Sequence, residues 1–331
     1  MELFRDGEPG DWGVMGDCAV LPNYFYLFQP SANNSKEYIF AITHGGPLSG
    51  QSEELMRCFA NRSVGNSQCV IQPRFEIIDR YQSTITGEFC DPVIGNPNRG
   101  LINGALNPQS YENRDFRMKA TMLWEGEKMQ TMSSSLADTG YGIYRFEQFT
   151  GVVDGFNVLN SNGDKTGLLF RKFIRNYVGQ RRDEGDQSIP LMRLADVYLM
   201  YAEAINEANN GPDNLAIELV NKIRHRGNLP PLSVVKTSTK DEFFKAVEQE
   251  RIVELIGEGH RGFDLRRWRK LEEVWGSPQG SGVQTINTKG NNVTKYYDNA
   301  PVLNYQRNYI FRIPESERIK NPNLTQNIPW L

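Results

Sequence analysis

The sequence predicts a mainly α protein, of α+β composition, in which a helical scaffold similar to tetratricopeptide repeats supports a loop-rich region with short strands. Three observations lead to this prediction. After Pro190, apolar residues recur with helical spacing in three successive segments. Before Gln187, short apolar runs alternate with long turn-rich stretches. Residues 276–299 are polar and rich in Gly, Asn and Thr, which is typical of a surface excursion.

Residues 1–187 are expected to form short strands and many loops. The runs EYIFAI (37–42) and MKATMLW (118–124) are apolar enough to be strands, and turn-rich segments separate them. The longest loop candidate, residues 129–167, carries aromatic residues among Ser, Gly, Asn and Asp. Long loops in compact domains are usually functional or disordered. We therefore expect a ligand face in this region.

Residues 188–275 are expected to form tetratricopeptide-like helices. Three amphipathic helices are predicted, ending at Asn209-Asn210-Gly211, at Gly227 and at Gly257, because glycine and asparagine favour helix termination. The spacing resembles tetratricopeptide units, although the strict repeat is degenerate. Residues 276–331 are expected to form the surface excursion and a closing segment packed on the same domain.

The caps and the buried faces of these helices can also be predicted. Asp213 or Asn214 can cap the second helix, and Thr239 with Glu242 forms a capping box for the third. Small residues at likely helix crossings, and aromatic residues on the apolar stripes, are expected in the core: Ala202, Ala216, Tyr198, Tyr201, Phe243 and Phe244.

Composition excludes some classes of protein. The 331 residues carry a formal charge of −3 with a pI near 5.8, which argues against a dedicated binder of nucleic acid or anionic membranes. No apolar run reaches membrane-spanning length, and the first residues have no hydrophobic signal region. The chain is therefore expected to be cytosolic or a processed or truncated product.

The four cysteines, Cys18, Cys58, Cys69 and Cys90, lie in the first third of the chain without a C-x-x-C spacing. The absence of a C-x-x-C pair argues against a metal ribbon or a thioredoxin-type site. Both a Cys58–Cys69 disulfide and free buried thiols remain open.

The stretch EQERIVELIGEGHRGFDLRRWRK (248–270) combines acidic residues with a cluster of arginines. Glu250, Glu254 and Glu258 are spaced at four-residue intervals on one helix face, where like charges repel unless cations neutralise them. We predict that the chain turns back after Gly257 and that nearby arginines bind this row as a structural network, through Arg261, Arg266, Arg267 and Arg269. A metal site and a nucleic-acid clamp are disfavoured, because metal-ligand spacing is absent and the row is acidic.

Motifs for catalysis are sparse. The strip His44-Gly45-Gly46 resembles an oxyanion-hole segment, but no G-x-S-x-G supplies a nucleophile. No phosphate-binding G-x-x-x-x-G-K-[ST] occurs, and HRGFDL lacks the features of a kinase catalytic loop. A glycosidase with two carboxylates far apart in sequence remains possible.

Several long motifs, in order, resemble the SusD/RagB family. They are IPLMRLADVYLMYAEAINEANNG, AVEQERIVELIGEGHRGFDLRRWRK and IFRIPESERIKNPNLTQNIPW, preceded by NSKEYIFAI, QPRFEIIDRYQ and ENRDFRMKATMLWEGE. In the last of these, Asn113-Arg114-Asp115-Phe116-Arg117 stands where the family has Arg-Asp-Pro-Arg-Phe. The resemblance extends from about Asn34 to Trp330 and covers the C-terminal portion of the family pattern.

The resemblance implies a non-catalytic, glycan-binding lipoprotein of the Bacteroidetes outer membrane. Such a protein sits on the extracellular face as a lid on a SusC-like TonB-dependent transporter and passes oligosaccharides, polysaccharides or peptides to it. It implies no cofactor. The family normally has a lipidated cysteine and several helices before the region matched here, and this sequence lacks them. A truncated chain is therefore the expected explanation.

Residues for sugar binding are predicted from chemistry rather than from the family. Aromatic rings cover apolar sugar faces, and a ring covering about 40 Å² contributes roughly 1 kcal/mol. The candidate rings are Trp124, Tyr111, Tyr141 and Tyr144, and the candidate hydroxyl partners are Asn103 and Asn107. The alternatives are that these rings pack onto their own domain, that the protein is a glycan hydrolase, and that it is a helical scaffold binding only protein.

Overall fold

A computed structural model describes residues 1–46, 48–61, 64, 67–73, 75–93, 104–130, 141–145, 152–159, 168–176, 183–275, 283–287, 294–298 and 305–331. Its α-helices are α1 (Asn23–Leu27), α2 (Leu55–Phe59), α3 (Phe116–Thr121), α4 (Leu194–Ala208), α5 (Asn214–Arg226), α6 (Val234–Thr237), α7 (Lys240–Glu254), α8 (Arg261–Arg267), α9 (Leu271–Trp275), α10 (Tyr305–Tyr309) and α11 (Glu315–Lys320). Its strands are β1 (Tyr38–Ile42), β2 (Met122–Leu123), β3 (Lys128–Gln130), β4 (Tyr141–Ile143), β5 (Val152–Val153), β6 (Phe156–Val158), β7 (Leu169–Phe170), β8 (Ile189–Arg193), β9 (Val283–Asn287) and β10 (Thr294–Asp298). Long helices and short strands confirm the predicted mainly α class.

The three predicted amphipathic helices are α4, α5 and α7, which pack against one another. Ala202 and Ala216 are completely buried, as expected for small residues between helices. Tyr198 and Tyr201 are partly buried against the same cluster. The core of the cluster comprises Leu194, Leu199, Ala202, Ala216, Val220, Ile223, Phe243, Val247 and Leu255. Over the described ranges, no helix is both long enough and apolar enough to cross a lipid bilayer.

Both predicted caps are present. Asp213, rather than Asn214, caps α5, because its carboxylate accepts a hydrogen bond of 2.7 Å from the backbone N–H of Ala216. The hydroxyl of Thr239 accepts a bond of 3.2 Å from the N–H of Glu242 at the start of α7. The chain leaves helical geometry just after Glu254, earlier than predicted, and turns at Gly257 with a φ of +78°.

The strands form small sheets between loops. The predicted strand EYIFAI contains β1, which pairs antiparallel with β8. Strands β2 and β7 form a second pair, and β3, β4, β6 and β5 form a four-stranded sheet in which only β4 and β6 are parallel. Strands β9 and β10 form a pair inside the polar segment 276–299, for which the sequence predicts no strand. Their valine, threonine, isoleucine and tyrosine residues favour strands.

The predicted strand MKATMLW is wrong over most of its length. Residues Phe116–Thr121 form the helix α3, and only Met122–Leu123 are extended. Asp115 starts the helix, because its carboxylate accepts a hydrogen bond of 2.9 Å from the N–H of Arg117. Arginine, methionine, lysine and alanine in this segment also favour helix.

The carboxylate row predicted on the third helix is buried within a charge network. Arg117 donates to Glu250 at 2.8 Å and to Glu254 at 3.0 Å. Arg193 binds Glu254 at 2.6 Å and Glu258 at 2.7 Å. The side chains in these pairs are at most 2% exposed. The structural network is therefore confirmed, although its cations come from other parts of the chain than predicted.

Three further cations and two further carboxylates extend this buried network. Arg224 binds Glu250, Arg226 binds Glu254 and Lys172 binds Glu258, each at 2.7 Å. Glu37 binds Arg226 at 2.6 Å and Arg193 at 3.0 Å. The network thus joins α3, α5 and α7 to the ends of β1 and β8, and to the segment after β7. With Asp115, which pairs with Arg117 at 2.6 Å, these side chains are called the buried charge network: Glu37, Asp115, Arg117, Lys172, Arg193, Arg224, Arg226, Glu250, Glu254 and Glu258.

The arginines predicted to bind the row point elsewhere because most of them lie on α8, a new helix beyond the turn, or just after it. They contact four other groups: Arg261 binds Glu248 (3.0 Å), Arg266 the Asn308 carbonyl (3.0 Å), Arg267 binds Asp264 (2.9 Å), and Arg269 lies 4.6 Å from the centre of the Tyr309 ring.

Burial and pairing act in opposite directions on these groups. Burial alone would raise the pKa of Glu254, but the guanidinium groups of Arg226, Arg193 and Arg117 hold it well below its usual value. Burial lowers the pKa of Lys172 to about 8, even though the carboxylate of Glu258 favours the charged form. The network is therefore stable only while its charges remain matched.

The four cysteines, all within the described part of the chain, form no disulfide there. The Cys58–Cys69 disulfide, one of the two alternatives that the sequence leaves open, is therefore not formed in this structure. Trp268, which lies just after α8, packs edge-on against Phe244 with ring centroids 5.2 Å apart. The side chain of Trp275 lies outside the described residues.

Candidate ligand-binding site

Trp124 and Tyr111, two of the predicted sugar platforms, form a stacked pair. Their ring centroids are 5.2 Å apart, with an interplanar angle of 25°. Both residues are completely buried, so the expectation that these rings are exposed is wrong. Trp124 directly follows β2, which is paired with β7 in the core, and the hydroxyl of Tyr111 donates to the carbonyl of Ala105 at 2.8 Å.

The two predicted tyrosines of β4 and its extension differ in exposure. Tyr144 is 1% exposed and belongs to a hydrophobic core cluster. Its N–H donates to the backbone carbonyl of Glu127 and its carbonyl accepts from the N–H of Gly126, which joins its backbone to the turn between β2 and β3. The expectation of an exposed ring is therefore also wrong for Tyr144. Tyr141 is 39% exposed at the start of β4, and it stays a candidate platform.

Of the two asparagines predicted as hydroxyl partners, the structure describes Asn107. Asn107 is partly exposed and caps the 3-10 turn Pro108–Tyr111, because its side-chain oxygen accepts a bond of 3.0 Å from the N–H of Gln109. Its side-chain NH₂ group donates to no residue that the structure describes, so it can still meet a hydroxyl. Asn103 lies outside the described residues.

Trp12, which is not among the predicted platforms, packs against the buried pair and is partly exposed. Its ring centroid lies 6.1 Å from that of Trp124 and 5.4 Å from that of Phe116. The ammonium group of Lys119 lies 5.5 Å from the Trp12 ring centre. The buried pair of Trp124 and Tyr111 therefore supports a partly exposed ring, that of Trp12.

The segment carrying Trp12 is fixed to the turn between β2 and β3. The N–H of Gly16 donates to Glu127 at 2.9 Å, and Lys119 donates to the carbonyl of Val14 at 2.6 Å. Glu127 is itself paired with Arg171 at 2.5 Å. Burial raises the pKa of Glu127, and the charge of Arg171 opposes that shift. These contacts, together with the ring contacts to Trp124 and Phe116, fix the position of the Trp12 ring.

A polar rim adjoins this aromatic cluster at the same turn. Arg145 lies between two carboxylates, Glu125 at 3.2 Å and Asp154 at 3.3 Å. Gly126 lies between Arg145 and Pro108. A Cβ added at Gly126 would be 3.3 Å from Nη1 of Arg145 and 3.6 Å from Cγ of Pro108. Asn107, next to Pro108, therefore lies near the same rim. We call Trp12, Asn107, Glu125, Arg145 and Asp154 the tryptophan site.

The tryptophan site has the chemistry of a sugar-binding surface. A rigid, partly exposed ring offers an apolar face, and the guanidinium, carboxylate and amide groups offer donors and acceptors for hydroxyls. Within the described residues, no group of three or more His, Cys, Asp or Glu side chains is placed to hold a metal ion. The fold and this site define a mainly helical protein with a surface suited to binding a polyhydroxylated ligand.

Residues 36–330 match the SusD family. The chain therefore belongs to the SusD family. Two similar proteins, SusD-like proteins P25 and P2 of Formosa agariphila, are 38% and 27% identical to it over 257 and 230 residues. These alignments cover 77% and 67% of this chain, but only 44% and 38% of the relatives. The chain thus spans less than half the length of these relatives.

Solved structures agree with the fold. A SusD-like carbohydrate-binding protein of Bacteroides fragilis superposes with a TM-score of 0.66 and 23% identity, covering 91% of this chain and 57% of the other. A second SusD-like protein of Bacteroides fragilis gives a TM-score of 0.64 and 20% identity, over 92% of this chain and 56% of the other. At these identities the likeness establishes the fold alone.

Proposed function

We propose that this chain binds an oligosaccharide or polysaccharide at the bacterial cell surface, without catalysing a reaction on it. In this proposal it passes the glycan to a SusC-like TonB-dependent transporter in the outer membrane, where a lipid anchor holds the protein. The observation that carries the proposal is the match to the SusD family over residues 36–330. A solved relative described as carbohydrate-binding supports the same ligand class.

The tryptophan site supports glycan binding on chemical grounds. One ring covering about 40 Å² of a sugar face contributes roughly 1 kcal/mol. Hydrogen bonds to the charged groups Arg145 and Asp154 would add to this, because such bonds are stronger than neutral ones. Tyr141 is a second candidate ring near the other end of β4. Two rings with a few hydrogen bonds correspond to weak binding, about millimolar to micromolar.

The proposal is tested by affinity electrophoresis of the purified chain through gels that contain soluble plant, fungal and host polysaccharides. Retardation on at least one polymer is expected, with no shortening of that polymer after prolonged incubation. A polymer that retards the chain and is also cleaved by it would identify a hydrolase instead. Retardation on none, together with capture of a protein partner, would favour a helical interaction scaffold.

A further inference from the structure

Two adjoining cavities lie where α7 ends, apart from the residues of the tryptophan site. The larger has a volume of about 610 Å³ and the smaller about 400 Å³. They share four lining residues, Arg80, Arg261, Glu273 and Val274. Together they form a continuous recess, which we call the Arg80 groove.

The two parts of the Arg80 groove differ in chemistry. The larger cavity has a mainly apolar lining: Pro73, Ile77, Phe170, Ile252, Leu255, Ile256 and Val274. Gly257 and Gly259, which turn the chain after α7, also line it. The smaller cavity is lined by polar and charged side chains, with Phe89 on its wall at 53% exposure. A ligand that fits both parts must combine apolar surface with polar or charged groups.

Cations outnumber carboxylates in the smaller cavity. Three carboxylates line it, Glu242, Glu248 and Glu273. Its cations number six: Arg80, Arg224, Lys236, Lys245, Arg261 and Lys270. Cations concentrated in a concave surface create a positive potential that attracts anions.

Five of these six cations have a carboxylate partner. Arg261 and Lys270 share Glu248, at 3.0 Å and 2.5 Å. The others form one principal pair each: Lys245 with Glu242 (2.6 Å), Arg224 with Glu250 (2.7 Å) and Lys236 with Glu88 (2.7 Å).

Arg80 is the exception. It is exposed, and no carboxylate in the described part of the chain lies within ion-pair distance of its guanidinium group. The contact that its guanidinium makes is a long one, 3.5 Å from Nη1 to the side-chain oxygen of Gln249. Gln249 is fixed in turn, because its amide donates to the backbone carbonyl of Arg80 at 2.6 Å. The N–H donors of Arg80 are thus available at the junction of the two cavities.

We propose that the Arg80 groove binds an acidic substituent of an oligosaccharide, a carboxylate or a sulfate, with Arg80 as the anion-binding residue. This inference rests on the proposed function and narrows its ligand class to acidic glycans. The guanidinium fork matches the paired oxygens of either anion, and the nearby Arg261 and Lys270 strengthen the positive potential. The apolar lining and the Phe89 ring can cover the C–H faces of adjacent sugars. A neutral glycan would gain no charge–charge attraction from Arg80.

Matched pairs of polymers test this proposal. The purified chain is run through gels containing polygalacturonate or its carboxyl-reduced form, and a sulfated galactan or its desulfated form. The chain is expected to bind the acidic member of at least one pair more strongly than the neutral member. The pair that shows this difference identifies the anion as a carboxylate or a sulfate. Raising the salt from about 50 mM to about 500 mM should weaken that binding, because the interaction is electrostatic.

Variants then locate the site. Arg80→Gln should weaken binding to the acidic polymer about tenfold or more, and Arg80→Lys, which keeps the charge but not the fork, should lie between it and the parent chain. The control is Arg312→Gln, an arginine with 55% side-chain exposure outside the groove, which should bind normally. Thermal unfolding of each variant confirms that it is folded, as expected for exposed positions.

Different results overturn the two proposals. Equal binding of acidic and neutral members, or full binding by Arg80→Gln, would overturn the acidic-ligand inference while leaving glycan binding intact. Binding to no polymer in the wider polysaccharide panel would overturn the proposed function, and with it this inference.

Discussion

Arg193 and Glu254 form an ion pair of 2.6 Å in the protein interior, with side chains that are 1% and 0% exposed. A single buried pair is seldom stabilising, because removing two charges from water costs about as much as their attraction returns. Here Glu254 also binds Arg117 and Arg226. The energetic importance of Glu254 therefore lies in the buried positive charge that its removal would leave unmatched.

Glu254→Gln should greatly lower stability, because it leaves three buried guanidinium groups with too little negative charge. We expect a loss of about 3–5 kcal/mol in the free energy of unfolding, measured by chemical denaturation. The control is Glu207→Gln, whose carboxylate pairs with Lys240 at 2.5 Å but is 56% exposed; it should lose at most about 1 kcal/mol. Equal losses for the two variants would contradict a stabilising role for the buried charge network.

Acid should destabilise the protein through the same carboxylates. The pKa of Glu254 and that of Glu258 lie below their usual value of 4.5 in the folded chain, despite burial, because cations surround them. As the pH falls below 4.5, the unfolded chain takes up these protons first, so the free energy of unfolding declines. Burial raises the pKa of Asp115 and of Glu127, which acts in the opposite direction.

Comparison of two proteins isolates the contribution of Glu254. The slope of unfolding free energy against pH below pH 4.5 should be shallower in Glu254→Gln than in the parent chain. Parallel slopes would show that other carboxylates dominate acid unfolding.

Gly227→Ala should strain the buried charge network without straining its own backbone, as its φ of −81° suits any residue. The added Cβ would lie 2.4 Å from a carboxylate oxygen of Asp115 and 3.0 Å from Nε of Arg117. We expect a loss of about 1–3 kcal/mol in thermal or chemical unfolding. In the control Gly262→Ala, the nearest group is the flexible end of Arg266 at 3.2 Å. That variant should be neutral or slightly stabilised, because alanine favours helix.

Substitutions of the neighbouring Trp12 and Trp124 should have different effects, on glycan binding and on stability respectively. Trp12→Ala is expected to lose glycan retardation in affinity electrophoresis while keeping a cooperative unfolding transition. Trp124→Ala removes a completely buried ring, so it should lose about 3–5 kcal/mol of unfolding free energy. Tyr141→Ala serves as the matched exposed-ring variant. If Trp12→Ala is retarded normally in the glycan gel and Tyr141→Ala is not retarded, the glycan contacts Tyr141 on β4 instead of Trp12.

The helical scaffold was predictable because its signals are local. In α4, α5 and α7 the apolar stripe, the caps Asp213 and Thr239, and the glycine and asparagine stops all lie within one segment each. The strand prediction for MKATMLW is wrong because a short apolar run fits either a strand or a buried helix. The capping carboxylate of Asp115 was the local signal that favours helix.

The partners of the carboxylate row could not be predicted from the sequence. Arg193 lies 61 residues before Glu254, and Arg117 lies 137 residues before it. The four arginines predicted as partners, which follow the row in sequence, have the right chemistry, but the direction of α8 cannot be read from the sequence. Charge complementarity thus predicted that a network exists, while only the fold determines which cations join it.

The candidate rings illustrate a related difficulty. Trp124 lies at the end of the apolar run MKATMLW and Tyr111 lies among polar residues, yet both are completely buried. Trp12 lies in the glycine-rich segment EPGDWGVMGD. An aromatic residue in such a segment is the same signal that makes Tyr141 a candidate ring. Exposure depends on the chain segments that cover a loop, and that information is distributed over the whole sequence.

The distances along the chain within the buried charge network affect how the protein is made. Glu37 contacts Arg226, which is 189 residues later, and Tyr24 donates to the Glu254 carbonyl, 230 residues later. At about 5–20 residues per second, a ribosome produces Glu37 roughly 10–40 s before Arg226. During that interval Glu37 lacks Arg226 and Tyr24 lacks the Glu254 carbonyl, so the buried charge network cannot be completed until synthesis has passed α7. Native packing around the buried charge network therefore comes late in the synthesis of the chain.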